Sequence, residues 1–372
     1  MRKILSVIFI ILLWANSLSA QVVSRDSLEH LAARMLIVGF KGDTVTPVNP
    51  VVGYLRETRV GGIILFDVDL TGSRKLGSRN ITSREQLGKL TRDLRDIAGY
   101  PLVITADQEG GLVQRLKPRY GYEAVPSAKH LGATGCIDST YFWSKVMAGQ
   151  LAEAGINLNL APEVDLHVDS CPVIGELSRA YSTDPDSVAL HAMAAIDAFH
   201  SRDVKVTLKH FPGHGSAKED SHYGLTDVTK TWSEDELIPF REIIDSGKAD
   251  AIMTAHIFNR NLDPDYPATL SKKIITGLLR NKLKYDGVVI TDDLYMQGIV
   301  DNYEIDKALI LAINAGADMI IVGNNITTGF EPDRPARLVR IIANAVENGD
   351  IDINRLIEAN KRIDTIFQPC EY

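Results

Sequence analysis

Short runs of apolar, often β-branched residues recur along the chain and alternate with stretches in which apolar residues are spaced as on one face of a helix. Such runs predict strands that are buried on both faces, as in a parallel sheet with helical crossover connections. We predict eight strands, at residues 35–40, 62–66, 102–106, 156–160, 205–209, 251–255, 287–291 and 319–322.

Residues typical of helix ends stand between these runs and support the alternation. Ser83 and Gln86 have the spacing of a capping box. Asp184, followed by a proline, predicts the start of another helix. Ser233 and Glu236 predict a second capping box. Later helices are predicted at 302–315, 334–348 and 353–367.

Eight strands with helical crossovers predict an α/β fold, a (β/α)8 TIM-type barrel in which individual strands can be irregular. The length of 372 residues suits one barrel with insertions, and no Ser/Pro-rich linker divides the chain. We therefore expect a single domain. A doubly wound open sheet is the alternative, because it shows the same alternation of strands and helices.

The first 20 residues have the pattern of a secretory signal peptide. Arg2 and Lys3 precede an apolar run at 4–14, and small residues lead to Ala20. This run is too short to span a membrane, and no later segment has the roughly 18 apolar residues that a span requires. We predict a signal peptide at 1–20 and a barrel domain at 21–372, in an exported protein, periplasmic or secreted, that is not inserted in the membrane.

The charge balance argues against a nucleic-acid partner. The chain has 40 Lys and Arg against 48 Asp and Glu, a formal net charge of −8, and no basic cluster is visible. Its three cysteines are Cys136, Cys171 and Cys370. In an oxidising compartment one pair could form a disulfide, and we expect Cys136 with Cys171 first, although sequence alone does not fix the connectivity.

Polar side chains follow most of the predicted strands at the point where each strand ends. In a TIM-type barrel this face carries the active site. The clusters are Asp107 after the third strand, Asp165 and His167 after the fourth, Lys209 and His210 at the end of the fifth, His256 after the sixth, and Asp292 and Asp293 after the seventh.

Asp292 directly follows a buried strand, which would hold its carboxylate rigidly at the barrel mouth. A carboxylate there can attack an electrophilic carbon or stabilise a developing cation. The pair Asp292 and Asp293 could instead cap the following helix, and we assign that capping role to Asp293.

The segment KHFPGHGSAKEDSH, at 209–222, concentrates titratable residues on a loop. Strand alternation predicts that Lys209 and His210 point to different faces, so that one reaches the mouth and donates hydrogen bonds to a ligand. Asp220 could orient the imidazole of His222 and make it a proton donor and acceptor near pH 7. Taken alone, this pair fits an ordinary surface loop better than a proton-transfer pair.

Two arginines near these clusters could bind oxygen-rich ligands or form structural ion pairs. Arg115 shares the loop after the third strand with Asp107, and Arg179 precedes the helix start at 184. A metal site is not expected, because Pro212 lies between His210 and His214 and excludes the helix that would align them.

At these residues the sequence resembles the single-domain bacterial β-N-acetylglucosaminidases of glycoside hydrolase family 3. The resemblance runs over nearly all of the chain after the predicted signal peptide. It is carried by VGGIILF at 60–66, DQEGGLVQRL at 107–116, NLAPEVDL at 159–166, RAYSTDP at 179–185, KHFPGHGSAKEDSH at 209–222 and ITDDLYM at 290–296.

The resemblance implies a retaining exo-β-N-acetylglucosaminidase that acts on amino-sugar glycans, such as cell-wall peptidoglycan fragments, without a cofactor. It implies that Asp292 is the nucleophile and that His222, polarised by Asp220, is the general acid and base. A β-glucosidase or β-xylosidase of the same family, or a non-catalytic sugar-binding protein, stays open as an alternative.

The same resemblance assigns a sugar-binding role to a further group of residues. They are expected to hold the terminal sugar and its N-acetyl group: Asp107, Arg115, Arg179, Lys209 and His210. The chain departs from the family pattern at Leu112, where an arginine is usual, and in about a dozen extra residues after Phe66. We expect the side that contacts the aglycone to differ accordingly.

Overall fold

The computed structural model describes residues 24–220, 224–326 and 329–368. The predicted signal peptide at 1–20, the candidate acid and base His222, and Cys370 lie outside the described residues. Within those three ranges, every helix is too short or too polar to cross a membrane.

Eight parallel strands form a nearly closed barrel, as the sequence predicts. They are β1 (Leu36–Gly39), β2 (Gly62–Ile64), β3 (Val103–Ala106), β4 (Leu158–Asn159), β5 (Lys205–Phe211), β6 (Ala251–Thr254), β7 (Val288–Thr291) and β8 (Ile320–Val322). Strands that are neighbours along the chain are neighbours in the sheet, and β8 pairs with β1.

The contact between β7 and β8 decides between a barrel and an open sheet. Ile290 and Met319 form a parallel bridge. Thr291 N donates a hydrogen bond to Met319 O at 3.0 Å, and Leu294 N donates to Ile321 O at 3.1 Å. Because these bonds join the two ends of the sheet, the alternative of a doubly wound open sheet is wrong.

Helices surround the strands. The α-helices that the structure describes are α1 (Arg25–Arg34), α2 (Pro50–Gly53), α3 (Arg84–Ala98), α4 (Ala128–Ala133), α5 (Ile137–Glu153), α6 (Pro185–His200), α7 (Ile238–Asp245), α8 (Gln297–Val300), α9 (Ile305–Ala315), α10 (Arg334–Glu347) and α11 (Ile353–Thr365). Tyr54–Thr58 and Lys273–Lys282 are π-helical, and Pro118–Tyr120, Glu234–Leu237 and Ala268–Leu270 are 3-10 turns.

Two small additional sheets lie in the loops. Gln108–Gly110 and Val113–Gln114 form an antiparallel hairpin directly after β3. Thr226–Asp227 pairs in parallel with Ile257–Phe258, which joins the loops after β5 and β6. Both sheets stand at the end of the barrel where the strands terminate.

The core is continuous across both faces of the sheet. Apolar side chains inside the barrel and between the barrel and its helices form one cluster of buried residues. Some strands approach too closely for a side chain: a Cβ on Gly39, at the end of β1, would lie 1.8 Å from the carbonyl oxygen of Gly323. Glycine at 39 therefore permits β1 and the end of β8 to come together.

The observed helix ends agree with the sequence-based prediction where the capping contact is local. The hydroxyl of Ser83 accepts a hydrogen bond from Gln86 N at 3.1 Å and caps α3. Asp184 caps α6, and its carboxylate accepts a hydrogen bond from Asp186 N at 3.3 Å. These side chains act within three residues of their own position, so the sequence pattern is sufficient to place them.

The expected disulfide between Cys136 and Cys171 is wrong. Both are free thiols in the structure. Cys136 is exposed just before α5, whereas Cys171 is buried in the loop after β4, where its Sγ lies 3.6 Å from the carbonyl oxygen of His214. One side chain faces solvent and the other is enclosed, so the two sulfur atoms do not meet.

Candidate active site

The carboxyl ends of the strands bring the predicted site residues to one end of the barrel. Asp107 follows β3, Lys209 and His210 lie in the last part of β5, and Asp292 follows β7. Because all eight strands are parallel, the residues after them open onto the same mouth. The structure therefore assembles residues that are 185 positions apart in the chain, from 107 to 292.

Lys209 stands at the centre of a chain of ion pairs. Its Nζ lies 3.0 Å from Asp107 Oδ1 and 2.6 Å from Glu109 Oε1. The other oxygen of Asp107 accepts a hydrogen bond from Arg115 Nη2 at 2.8 Å. Both oxygens of Glu109 accept hydrogen bonds from the guanidinium of Arg179, each at 2.7 Å. Four predicted sugar-binding residues are thus connected through Glu109.

Opposite charges outweigh the effect of burial on both carboxylates. Burial alone would raise the pKa of Glu109, but the charges of Arg179 and Lys209 lower it to about 2. Burial also opposes ionisation of Asp107, yet Lys209 and Arg115 hold the pKa of that carboxyl well below its usual range. Both groups are therefore ionised near neutral pH and can only accept hydrogen bonds.

His210 is oriented by Asp165. The fully buried carboxylate of Asp165 accepts hydrogen bonds from His210 Nδ1 at 2.7 Å and from His214 N at 2.7 Å. The Nδ1–H of His210 is thereby directed to Asp165, while its Nε2 lies 3.5 Å from Arg179 Nη2. Burial and the nearby His210 lower the pKa of His214 to about 4, so that ring is neutral near pH 7.

The prediction that Lys209 and His210 face opposite sides of the strand is wrong. Lys209 reaches Glu109 and His210 approaches Arg179, so both side chains enter the same network. The register between β5 and β6 shifts between Leu208 and Phe211. The regular pleat is therefore interrupted at Lys209 and His210, and the alternation of side chains between the two faces of the strand does not apply there.

Glu236 holds the first part of the histidine-rich loop. Its carboxylate accepts hydrogen bonds from Gly215 N at 3.1 Å and from Ser216 Oγ at 2.6 Å. The predicted capping box of Ser233 and Glu236 is therefore wrong, because Glu236 makes a tertiary contact instead. Burial raises its pKa to about 7; the Ser216 hydrogen bond opposes this rise, and the charge of Asp165 adds to it.

The proposed proton-transfer pair is only partly within the described structure. Asp220 is half-buried on the loop that follows β5, on the same side of the barrel as Lys209. His222 lies outside the described residues. The pairing of Asp220 with His222 therefore stays a prediction.

Asp292 and Asp293 have different environments although they are adjacent. Asp292 is half-buried, and its Oδ1 accepts a hydrogen bond from Asp293 N at 2.8 Å. Asp293 turns toward β8, where its Oδ2 accepts from Gly323 N at 3.1 Å, while its Oδ1 accepts from Tyr295 N at 3.1 Å. Burial raises the pKa of Asp293 to about 6; the Tyr295 hydrogen bond opposes this rise, and the charge of Asp292 adds to it.

The helix-capping role predicted for Asp293 is wrong. The next helix, α8, begins only at Gln297, and its N-cap position is Met296. The carboxylate of Asp293 instead joins the end of β7 to the end of β8. This contact depends on a strand that is distant in sequence, so residue spacing does not reveal it.

A further buried acid, Glu163, lies close to Asp165. Its Oε1 accepts a hydrogen bond from Asp165 N at 2.8 Å. Burial, reinforced by the charge of Asp165, raises the pKa of Glu163 well above its usual value. Neither Glu109 nor Glu163 was identified from the sequence as a site residue; for Glu109 the available signal was its place two residues after Asp107.

His256, which follows β6, bonds to protein groups. The ring nitrogens of His256 lie 2.9 Å from Thr269 Oγ1 and 2.9 Å from the carbonyl oxygen of Asp293. Across the part of the chain that the structure describes, no group of three or more His, Cys, Asp or Glu side chains is placed to hold a metal ion.

The extra residues after Phe66 form a loop at the same end of the barrel. Val68 and Leu76 make an antiparallel bridge across it. Asn325, from the loop after β8, donates a hydrogen bond to Val68 O and accepts one from Leu70 N, each at 2.9 Å. The loop is thereby fixed to the end of β8 at the barrel mouth.

Comparison with known proteins identifies relatives over most of the chain. Residues 29–366 match the family described as "Glycosyl hydrolase family 3 N terminal domain". A protein named beta-hexosaminidase from Tolumonas auensis is 39% identical over 276 residues, which are 73% of this chain and 78% of the relative. A beta-hexosaminidase from Xylella fastidiosa, strain M23, is 35% identical over 297 residues, 77% of this chain and 83% of the relative.

Solved structures agree with these matches. The chain is similar to a glycoside hydrolase family 3 beta-N-acetylglucosaminidase from Paenibacillus sp., with a TM-score of 0.82 and 35% identity over 92% of this chain. It covers 62% of that protein, which is less than two thirds of its length. It is also similar to a beta-N-acetylhexosaminidase from Beutenbergia cavernae, with a TM-score of 0.78 and 27% identity, covering 92% of this chain and 97% of that one.

Glu109 bridges the buried Lys209 and the largely buried Arg179. In Glu109→Gln the charges of Lys209 and Arg179 lose a shared carboxylate. We expect the free energy of unfolding to fall by about 3–5 kcal/mol, as when one partner is removed from a buried ion pair. Chemical denaturation at pH 7 measures this loss.

The matched control is Asp197→Asn. Asp197 pairs with Lys248 at 2.6 Å, but both side chains are partly solvent-exposed. We expect this substitution to cost less than about 1 kcal/mol. If both variants lose the same small amount, the buried ion pairs do not stabilise the barrel mouth.

Proposed function

The chain belongs to glycosyl hydrolase family 3, and we propose that it is a retaining exo-β-N-acetylglucosaminidase that removes terminal GlcNAc from the non-reducing ends of glycans. The names of the relatives, beta-hexosaminidase and beta-N-acetylglucosaminidase, support this sugar preference. Asp292 follows β7 at the same end of the barrel as the network of Asp107 and Lys209, and this position supports the proposal most strongly.

The proposed reaction is a two-step displacement with retention of configuration. Asp292 attacks the anomeric carbon while His222 donates a proton to the leaving oxygen, which gives a glycosyl ester on Asp292. Water then attacks the anomeric carbon, His222 accepts its proton, and the bond to Asp292 breaks to restore the carboxylate. Asp220 would orient the imidazole and stabilise its protonated form.

The network of ion pairs supports a role in binding the sugar. Asp107 is ionised and can accept hydrogen bonds from hydroxyl groups, whereas Lys209, Arg115 and Arg179 can only donate them. A sugar ring offers both kinds of group. Lys209 is only 2% exposed, so the part of the proposed site that it forms lies deep at the end of β5. A deep site suits binding of a terminal sugar rather than the interior of a glycan chain.

We further propose that the protein is exported and acts on cell-wall fragments. The signal-peptide pattern at 1–20 supports export to the periplasm or beyond. Peptidoglycan fragments in that compartment carry β-linked GlcNAc and would be available to an exported enzyme. Asn325 fixes the loop after β2 to the end of β8. The position of this loop supports the proposal that the surface that contacts the aglycone is specific to this chain.

The proposed function predicts which β-glycoside is hydrolysed most efficiently. The p-nitrophenyl β-glycoside of GlcNAc is expected to be hydrolysed more efficiently than the β-glucoside and the β-xyloside. We expect a difference in kcat/KM on the order of 100-fold or more, since groups placed to bond an N-acetyl group are left unpaired by sugars that lack it. A preference for the glucoside or xyloside would indicate the alternative activities. Binding without hydrolysis of any of them would indicate a sugar-binding protein.

The third prediction concerns the nucleophile. Asp292→Asn should remove p-nitrophenol release, because a neutral amide cannot form the glycosyl ester. Its thermal unfolding should stay close to that of the unsubstituted protein. The matched control is Asp293→Asn, which should lower stability and retain most of the activity, because Asp293 joins β7 to β8. Activity that survives in Asp292→Asn would exclude Asp292 from this role.

The fourth prediction concerns proton transfer by His222. His222→Ala should lower kcat/KM by about 100-fold or more for GlcNAc glycosides with a sugar leaving group, which needs protonation. The loss should be smaller with p-nitrophenol, a leaving group that departs without it. Equal losses on the two substrates would show that His222 is not the proton donor.

A further inference from the structure

Four carboxyl groups, buried or partly buried, lie in the segments that follow β3 and β4, and one of them differs from the rest. Three have a cationic or imidazole partner: Asp107 with Lys209 and Arg115, Glu109 with Lys209 and Arg179, and Asp165 with His210. Glu163 is 3% exposed, and it forms no ion pair with any residue that the structure describes. It is therefore the acid of this group without an ion-pair partner in the described structure.

Glu163 nevertheless has a defined position. Its Oε1 accepts the hydrogen bond from Asp165 N at 2.8 Å, while its Oε2 has no hydrogen-bond partner among the described atoms. Its backbone makes a parallel bridge with Lys209, and Val164 N donates to Lys209 O at 2.9 Å. The residue thus connects the backbone of Asp165 with the end of β5.

The charges around Glu163 disfavour a second ionised carboxylate. The titratable and charged side chains that face it are Glu109 from the hairpin after β3, and Asp165, Arg179 and Tyr181 from the loop between β4 and α6. Burial raises the pKa of Glu163, and the charges of Asp165 and Glu109 raise it further against the opposing charge of Arg179. A buried carboxyl without its own cation takes up a proton instead.

The resulting charges balance. With Glu163 neutral, the carboxylates of Asp107, Glu109 and Asp165 match the permanent cations Arg115, Lys209 and Arg179 in number. Glu163 also lines a cavity of about 10 Å³, together with Glu109, Arg179 and Tyr181. That volume is at the lower limit for one water molecule, which would accept a hydrogen bond from the O–H of a neutral carboxyl group.

We propose that Glu163 is a positioning residue that works as a neutral carboxylic acid: it fixes Asp165, and Asp165 in turn fixes the imidazole of His210 in the sugar site. The inference rests on the proposed function, since it concerns how that site is held. Asp165 can hold both His210 and His214 only while its own backbone is fixed, and Glu163 Oε1 is the acceptor for its N–H.

Two substitutions separate a neutral acid from a carboxylate. Glu163→Gln keeps the acceptor oxygen and a donor group without a charge, and we expect its kcat/KM on the GlcNAc glycoside to stay within about threefold of the unsubstituted protein. Glu163→Val removes the acceptor for Asp165 N. We expect it to raise KM by about tenfold or more with a smaller effect on kcat, because the sugar-holding imidazole is no longer aligned.

The pH dependence of stability gives a test that does not depend on activity. A carboxyl whose folded-state pKa is raised above its unfolded value binds its proton more tightly in the folded state. Its contribution to stability is present below the unfolded pKa of about 4.3 and is lost as the pH rises toward the folded pKa. The melting temperature of the unsubstituted protein should therefore fall relative to that of Glu163→Gln as the pH rises above the unfolded pKa.

Infrared difference spectroscopy identifies the protonated group directly. At pH 7 the unsubstituted protein should show a carboxylic-acid C=O band that is missing from Glu163→Gln. A carboxylate band in its place, together with a loss of activity in Glu163→Gln as large as in Glu163→Val, would overturn the proposal. If Glu163→Val does not fold, the comparison of Glu163→Gln with the unsubstituted protein still decides it.

Failure of the proposed function would be seen separately. A protein that hydrolyses no β-GlcNAc glycoside would contradict the enzymatic proposal, while the spectroscopic and melting comparisons would still report the protonation state of Glu163. An active enzyme with an ionised Glu163 would contradict only the positioning role of the neutral acid.

Discussion

The ion pairs between Glu109 and its two cations fix the geometry of the barrel mouth. Glu109 joins Lys209 of β5 to Arg179 of the loop after β4, and Lys209 continues the chain to Asp107 after β3. Buried charges are tolerated only when they are paired at close range, so three segments of the chain must meet within hydrogen-bond distance. The parallel barrel makes this meeting possible because the strands end on one face.

The same constraint gives neighbouring acids different properties. Glu109 pairs with two cations and is ionised, whereas Glu163 forms no ion pair within the described structure and its pKa is raised. Asp293 accepts hydrogen bonds from backbone N–H groups of two segments and joins β7 to β8. Asp292 is the acid of that pair to which we assign the catalytic role. In each case the environment of the carboxyl group, and not its residue type, decides its role.

The fold was predictable because its signals are local. Strands covered on both faces are apolar along their length, and helix caps such as Ser83 act within three residues. The contacts that sequence could not supply are tertiary: Glu236 to the loop at Gly215, Asp293 to β8, and the shift in register that brings Lys209 and His210 into one network. Asp107, Arg115, Arg179 and Lys209 were identified by resemblance to a family, and the structure adds Glu109 as the residue that connects them.

We propose that Asp292 forms a covalent bond with the sugar at this mouth. Mass spectrometry can detect this bond after the protein reacts with a fluorinated GlcNAc donor that forms the glycosyl ester rapidly and loses it slowly. We expect one added sugar per chain, located by peptide fragmentation on Asp292. A sugar attached to Asp293 or to any other residue, or rapid turnover with inverted configuration and no adduct, would contradict it.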